Sequence, residues 1–242
     1  MQQRSSLGEN RLLRRLAAAD FSRLEPQLKK VTLTQGDILH PAGDAIEHVY
    51  FPISGMVSML SILQTGEAIE IGVIGREGVA GASISAEGSR SFAQAMVQMP
   101  GEGLRVAAAP FLKLFEASKN FRKQINAYQS ILALQTQQSA ACHALHTVEA
   151  RLARWLLHAQ DTVDNGTIDL TQEFLAHMLG VQRSSVSLTA NALQKAGLIQ
   201  YSRGRINILD RKGVEQAACE CYAVVRREMD KLAPRDRHSG AR

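Results

Sequence analysis

Glycine is spread very unevenly along this chain of 242 residues. Between Val31 and Val106 it recurs at short intervals, as in QGDILHPAGDAIEHVYFPISGMV; from Phe111 to Asn165 there is none. Glycine inside a helix costs about 1 kcal/mol relative to alanine, whereas turns between short strands use its backbone freedom. The two regions therefore ask for different architectures, strands and turns first and helix afterwards. The stretches VTLTQGDILHPAG, EHVYFPISGMVSMLSIL, EAIEIGVIG and AQAMVQMPGEGLRV are short and partly alternating, which predicts a small barrel or jelly roll. QTGEA, Gln64 to Ala68, reads as a hairpin turn. A helix over residues 10–29 precedes the barrel, with Leu12, Leu13, Leu16, Phe21 and Leu24 at helical spacing.

The glycine-free region is strongly helical. Ile131, Leu134, Gln138, Ala141, Leu145 and Val148 recur at alternating steps of three and four, the seam of a coiled coil. The pattern predicts a long helix that pairs with a second copy of the chain; the alternative is a single helix packed on its own domain. After the turn DNGT the chain becomes compact. Thr171 is placed to cap a helix, Glu173 lies in its first turn, and Phe174, Leu175, Met178 and Leu179 form its apolar stripe. Gly180 ends it. A second helix follows from about Arg183 to Ala196, with Val186, Ala190 and Leu193 inward and Gly197 at its end. LIQYSRGRINIL reads as a hairpin turning at Arg203-Gly204, and residues 211–232 as a last amphipathic helix.

Composition narrows the class. Hydrophobic residues make up 45% and charged residues 21% of the chain, an ordinary globular balance. No apolar run approaches the roughly 18 residues of a membrane helix, and the start has no apolar segment of signal-peptide type. The three cysteines, Cys142, Cys219 and Cys221, are too few for a disulfide framework, so the expected location is the cytoplasm. Charge is concentrated near the end. Arg183, Lys195, Arg203, Arg205, Arg211 and Lys212 stand against Asp210 alone between Gln182 and Lys212. Such a stretch suits phosphates.

Helix, glycine turn, helix and hairpin are the signature of a winged helix-turn-helix, whose second helix enters the DNA major groove with its N-terminal end. Arg183 has the planar fork that pairs with guanine O6 and N7; Ser184 reaches base edges, and Leu188 suits a thymine methyl. Gln182, Ser185, Ser187 and Thr171 are short or flexible donors for phosphate oxygens and neighbouring groups, and Arg203 and Arg205 on the wing reach flanking phosphates.

With these segments in place, the chain from about Asp20 to Asp210 resembles the Crp/Fnr family of bacterial transcription regulators. The first half rests on Gly36, Gly43, Phe51, Gly55 and Val57, the second on LTQEFLAHMLGVQRSSVSLTANALQKAGLI. The resemblance implies an α+β fold: an N-terminal cyclic-nucleotide-binding-like β-roll (residues 1–120), a long dimerisation helix and hinge (121–163), and a C-terminal winged helix-turn-helix (164–242). It implies a homodimer on palindromic double-stranded DNA, with RNA polymerase as partner for an activator, no membrane partner and no catalytic site. It also implies an effector pocket at Gly75, Arg76, Glu77, Arg90 and Ser91, with Thr136 and Gln137 on the dimer helix; the effector is a cyclic nucleotide, another small molecule or none.

The departures are specific. Cyclic-AMP sensors carry Gly-Glu where this chain reads IGREG, so Arg76 stands at the acidic position. Their Thr-Ser pair is here Thr136-Gln137. Oxygen-sensing relatives carry cysteines near the N-terminus, and this chain has none before Cys142, so no iron–sulfur cluster is expected. His40 and His48 remain as haem-ligand candidates. Cys142, His143 and His146, with Glu149 beyond, supply too few ligands on one helix for a closed metal site. Cys219 and Cys221, two apart, do not share a helix face, so no metal or paired-thiol role is expected. A cupin-like metal enzyme would need more than His40, His48 and Glu47. A ligand-binding adaptor whose helix-turn-helix contacts protein is the third reading.

Overall fold

A computed structural model describes residues 10–83, 90–162 and 167–233. The sequence predicts one helix over 10–29. The structure has three short pieces instead: α1 (Arg11–Arg14), α2 (Ala18–Leu24) and a 3-10 turn (Glu25–Gln27) with its proline in the first turn. Asn10 organises the first. Its side-chain oxygen accepts from the Leu13 backbone, and its amide donates to the carbonyls of Pro52 and Gly78. The helix is thereby fixed to the barrel, and its long amphipathic continuation is lost.

The barrel consists of β1 (Lys29–Leu33), β2 (Ile38–His40), β3 (His48–Pro52), β4 (Met56–Ile62), β5 (Ala68–Ile74), β6 (Gln94–Met99) and β7 (Gly101–Ala107). They form two antiparallel sheets, β1-β7-β3 and β2-β6-β4-β5. The hairpin expected at QTGEA joins β4 to β5, with Ile62 paired to Ala68. Alternation along the strands turns Val49, Phe51, Val57, Ile74, Leu104 and Val106 into one core. Phe111 from α3 (Ala108–Ala117) and Phe121, Ile125 and Tyr128 from α4 (Lys119–Leu145) close it. Gly78 admits the Tyr128 ring: a Cβ there would lie 2.1 Å from the Tyr128 hydroxyl oxygen.

The glycine-free region holds most of α3 and two further helices. α4 is 27 residues long, capped by Ser118, whose hydroxyl accepts from the Phe121 backbone. It ends at His146, which is extended, and α5 (Val148–Thr162) begins two residues later. Val148, the last seam position, therefore lies beyond the break. The turn DNGT falls largely outside the described residues.

The last unit contains β8 (Thr167–Asp169), α6 (Gln172–Leu179), α7 (Arg183–Lys195), β9 (Ile199–Ser202), β10 (Arg205–Ile208), α8 (Arg211–Ala217) and α9 (Cys221–Leu232). The wing is a three-stranded sheet, order β8-β10-β9, rather than a bare hairpin. The single helix expected over 211–232 is interrupted at Ala218, which is extended. Leu152, Trp155, Leu156, Leu175, Leu179, Val186, Ala190 and Leu193 form a core continuous with Met56, Leu60, Val73 and Met99 of the barrel.

Gly180 stands at the helix-turn-helix corner with φ 59° and ψ 44°. A side chain is strained in this left-handed region, and a Cβ would also lie 2.9 Å from Ile69 Cδ1 on β5. Gly180→Ala is expected to lower unfolding stability by about 1–2 kcal/mol in urea titrations. An unchanged midpoint would show that the corner is not held in this conformation.

Candidate nucleic-acid interface

α6 and α7 meet at Gly180, and each has a defined start. Thr171 Oγ1 accepts from the Phe174 backbone at 3.3 Å and caps α6. Gln182 begins α7 without a side-chain cap, which leaves its amide free of that duty. Val186, Ala190 and Leu193 are buried beneath the helix. The opposite face therefore points outward: Gln182, Arg183 and Ser184 are exposed, Ser185 is half-buried, and Leu188 is 73% exposed. Leu188 thus stands on the same outward face as Arg183 and Ser184, beside polar neighbours.

Two of the expected contacts, and one arginine of the basic stretch, have partners within the chain. The Ser187 hydroxyl donates to Gln172 Oε1 at 2.5 Å and ties α7 to α6. Arg205 is paired with Asp169 across the wing at 3.1 Å, although both side chains are largely exposed. Arg211, counted in the basic stretch, turns inward. Its guanidinium donates to Asp161, Tyr222 and Gln160, and Asp161 also receives Arg226. Burial first, and then the Asp161 charge, pushes the Tyr222 hydroxyl up to about 12, so it stays a donor in this network. Arg203 remains exposed at the wing tip, in a left-handed turn with Gly204. Arg183 has a weak partner in Glu173 at 4.0 Å, with both side chains mostly in solvent.

The barrel holds a cavity of about 130 Å³. His40, Met59, Arg90, Ser91, Tyr128 and Leu132 are among its lining residues. Of the pocket residues expected from the sequence, only Arg90 and Ser91 belong to it. Gly75, Arg76 and Glu77 do not line it: Glu77 accepts from the Gly75 backbone at 2.8 Å, and Arg76 donates to the Thr162 carbonyl on α5. The loop is therefore directed at the hinge. Thr136 and Gln137 lie further along α4, Thr136 bonded to the Leu132 carbonyl and Gln137 exposed.

Two family models match the chain: the cyclic nucleotide-binding domain over residues 30–118 and the Crp-like helix-turn-helix domain over residues 150–217. The chain belongs to the Crp/Fnr family of transcription regulators. Solved structures agree on the fold. FixK2 from Bradyrhizobium japonicum is 15% identical with a TM-score of 0.68, over 79% of this chain and 98% of its own. TTHA1359, a Crp/Fnr transcriptional regulator from Thermus thermophilus, is 20% identical with a TM-score of 0.63, over 78% of this chain and 98% of its own. The c-di-GMP responsive global regulator CLP from Xanthomonas campestris is 18% identical with a TM-score of 0.62, over 80% of this chain and 100% of its own. No curated protein matches the sequence.

This Crp/Fnr protein is thus a regulator and not an enzyme. Its hinge contains groups that sequence reasoning passed over. Arg151 and Arg154 on α5 are buried, and Arg151 donates to the Leu179 carbonyl at the end of α6. Glu70 on β5 is buried as well; it accepts from the Ser58 hydroxyl at 2.5 Å, while its carbonyl meets His143 Nε2 at 3.1 Å. Burial pushes the Glu70 carboxyl up to about 7, against the opposing effects of Ser58 and Arg154. A lone Glu in a strand of alternating burial carries no signal of this; only packing shows it.

Proposed function

We propose that this regulator binds a palindromic DNA site as a homodimer in the cytoplasm, with the start of α7 in the major groove of each half-site. The observation that carries the reading is the outward face of α7, where Arg183, Ser184 and Leu188 lie together above a buried Val186, Ala190 and Leu193. The dimer reading is supported by α4. Ile131, Leu134 and Gln138 are only half-buried, Ala141 is exposed and Leu145 is 81% exposed, so the seam is partly uncovered by its own chain. The three-part division at residues 120 and 163 follows from this reading.

The barrel cavity beside Arg90 and Ser91 is the entry point for an effector. Cyclic AMP is a poor match. Arg76 replaces the expected acid and is engaged at the hinge, and about 130 Å³ is below the roughly 300 Å³ from which small-molecule sites usually start. CLP, which shares the fold, is c-di-GMP responsive, so cyclic AMP has no special claim here. Constitutive binding is the alternative reading.

The test uses the full chain and its own upstream DNA. Light scattering is expected to give a dimer, and footprinting to show protection of two half-sites about one helical turn apart. With roughly six phosphate contacts per dimer, affinity measured by fluorescence anisotropy is expected to fall about a thousand-fold between 50 and 200 mM salt. A monomer, or binding indifferent to salt, would contradict the proposal. Binding without any added ligand would decide for the constitutive reading.

A further inference from the structure

Four side chains meet where α4 ends. Cys142 lies in the last turn of α4, and His146 follows four residues later, on the same face. Cys219 comes from the break between α8 and α9, and Cys221 is the first residue of α9. Their ligand atoms all lie within 4.8 Å of one another. Cys142 Sγ is 3.4 Å from Cys219 Sγ, and Cys221 Sγ is 3.6 Å from His146 Nδ1. All three thiols are buried, and His146 is half-buried. The break at Ala218 removes the helical geometry that would have turned Cys219 and Cys221 apart. His143 is not part of the group, since its Nε2 faces the Glu70 carbonyl.

We propose that Cys142, His146, Cys219 and Cys221 form a closed, four-coordinate site for a zinc-type divalent metal ion. A tetrahedral site with metal–sulfur bonds of about 2.3 Å has edges of about 3.8 Å, which matches the observed separations. An iron–sulfur cluster, whose cysteines bind different iron atoms, needs a wider arrangement.

Two further features fit a metal and are independent of the distances. Glu220 Oε2 lies 3.4 Å from His146 Nε2, the ring nitrogen that does not face the thiols. A carboxylate holding the far nitrogen of a metal-bound histidine fixes its tautomer and orientation. Three thiolates with a divalent ion carry a net charge of −1. Arg151 and Arg154 are buried close to Cys142, and the charge of Arg154 is also felt by the buried Glu70 carboxyl. A site of net charge −1 balances part of that buried positive charge.

The site lies outside both matched family regions. Cys142 and His146 lie between the two matched family regions, and Cys219 and Cys221 lie after the second. Its position also gives it a consequence. The metal joins the start of α9 to the end of α4, and Arg151 continues from the cluster to the Leu179 carbonyl beside the helix-turn-helix corner. Metal occupancy therefore sets how the DNA-binding unit stands on the long helix. That consequence rests on the DNA-binding reading; the metal site itself does not.

The experiment is metal analysis of the full-length protein purified without chelator, followed by cobalt(II) titration of the apo form under reducing conditions. One metal per chain is expected, with thiolate-to-cobalt charge transfer and the intense visible bands of tetrahedral cobalt. Cys221→Ser should abolish the charge-transfer signature or weaken binding more than about 10-fold, and Glu220→Gln, which leaves every ligand in place, should weaken it about 10-fold. If the serine variant fails to fold, the wild-type titration and Glu220→Gln still decide. Octahedral cobalt bands, binding unaffected by both substitutions, or a Cys142–Cys219 disulfide with no metal in the reduced and reloaded protein would overturn the site. A bound metal whose removal leaves DNA affinity unchanged would retain the site and overturn the coupling.

Discussion

Arg183→Ala is expected to weaken binding to the cognate site by roughly 5- to 150-fold, about 1–3 kcal/mol, and to relax the preference at one base pair of each half-site. The expectation follows from position. Arg183 is the first residue of α7, 68% of its side chain is exposed, and its ion-pair partner among the described residues, Glu173, is 4.0 Å away. Such a pair contributes little to folding, so the substitution should leave the unfolding midpoint almost unchanged. What it removes is a bidentate donor aimed away from the core. Anisotropy on operators varied at each base pair separates this from a phosphate contact. An arginine that only holds phosphate would lose affinity equally on all sequences, and that outcome would refute base readout. Arg203→Ala, at the wing tip, is the comparison for uniform loss.

The second large effect lies at Glu70. Its carboxyl is buried between β4 and the hinge, and its folded value of about 7 stands above the ordinary 4.5. Between these values the unfolded chain releases the proton while the folded protein keeps it. Raising the pH through this window therefore favours unfolding, and stability falls as pH climbs from about 4.5 to about 7. The full difference is about 3 kcal/mol. Glu70→Gln keeps an acceptor for the Ser58 hydroxyl and never ionises. Its advantage over the native protein in urea unfolding should be near zero at about pH 4.5 and grow to about 3 kcal/mol at about pH 8. Parallel stability profiles for the two proteins would show that the carboxyl is not carrying this pH dependence.

Much of the DNA-binding unit can be read locally. The cap at Thr171, the left-handed glycine at 180 and the inward row Val186, Ala190 and Leu193 are each set by residues within a few positions of one another. Local rules decide such features, so the outward face of α7 follows from the inward one. Ser187 is the exception on that face: its hydroxyl is taken by Gln172, fifteen positions earlier. The effector pocket was less accessible. A motif aligned by order, such as Gly75-Arg76-Glu77, gives no direction for its side chains, and the hinge carbonyl of Thr162 drew Arg76 away from the barrel.

The metal-type cluster marks the boundary most clearly. Read alone, Cys219 and Cys221 point apart on a helix and Cys142 with His146 is an incomplete set. The break at Ala218, which has neither glycine nor proline to announce it, depends on how α9 packs back against α4. Periodicity, capping and glycine spacing belong to the chain itself, because they act over one or two turns. The placement of Cys142 beside Cys219, 77 residues apart, the inward turn of Arg211 and the burial of Glu70 arise only when distant segments exclude water together.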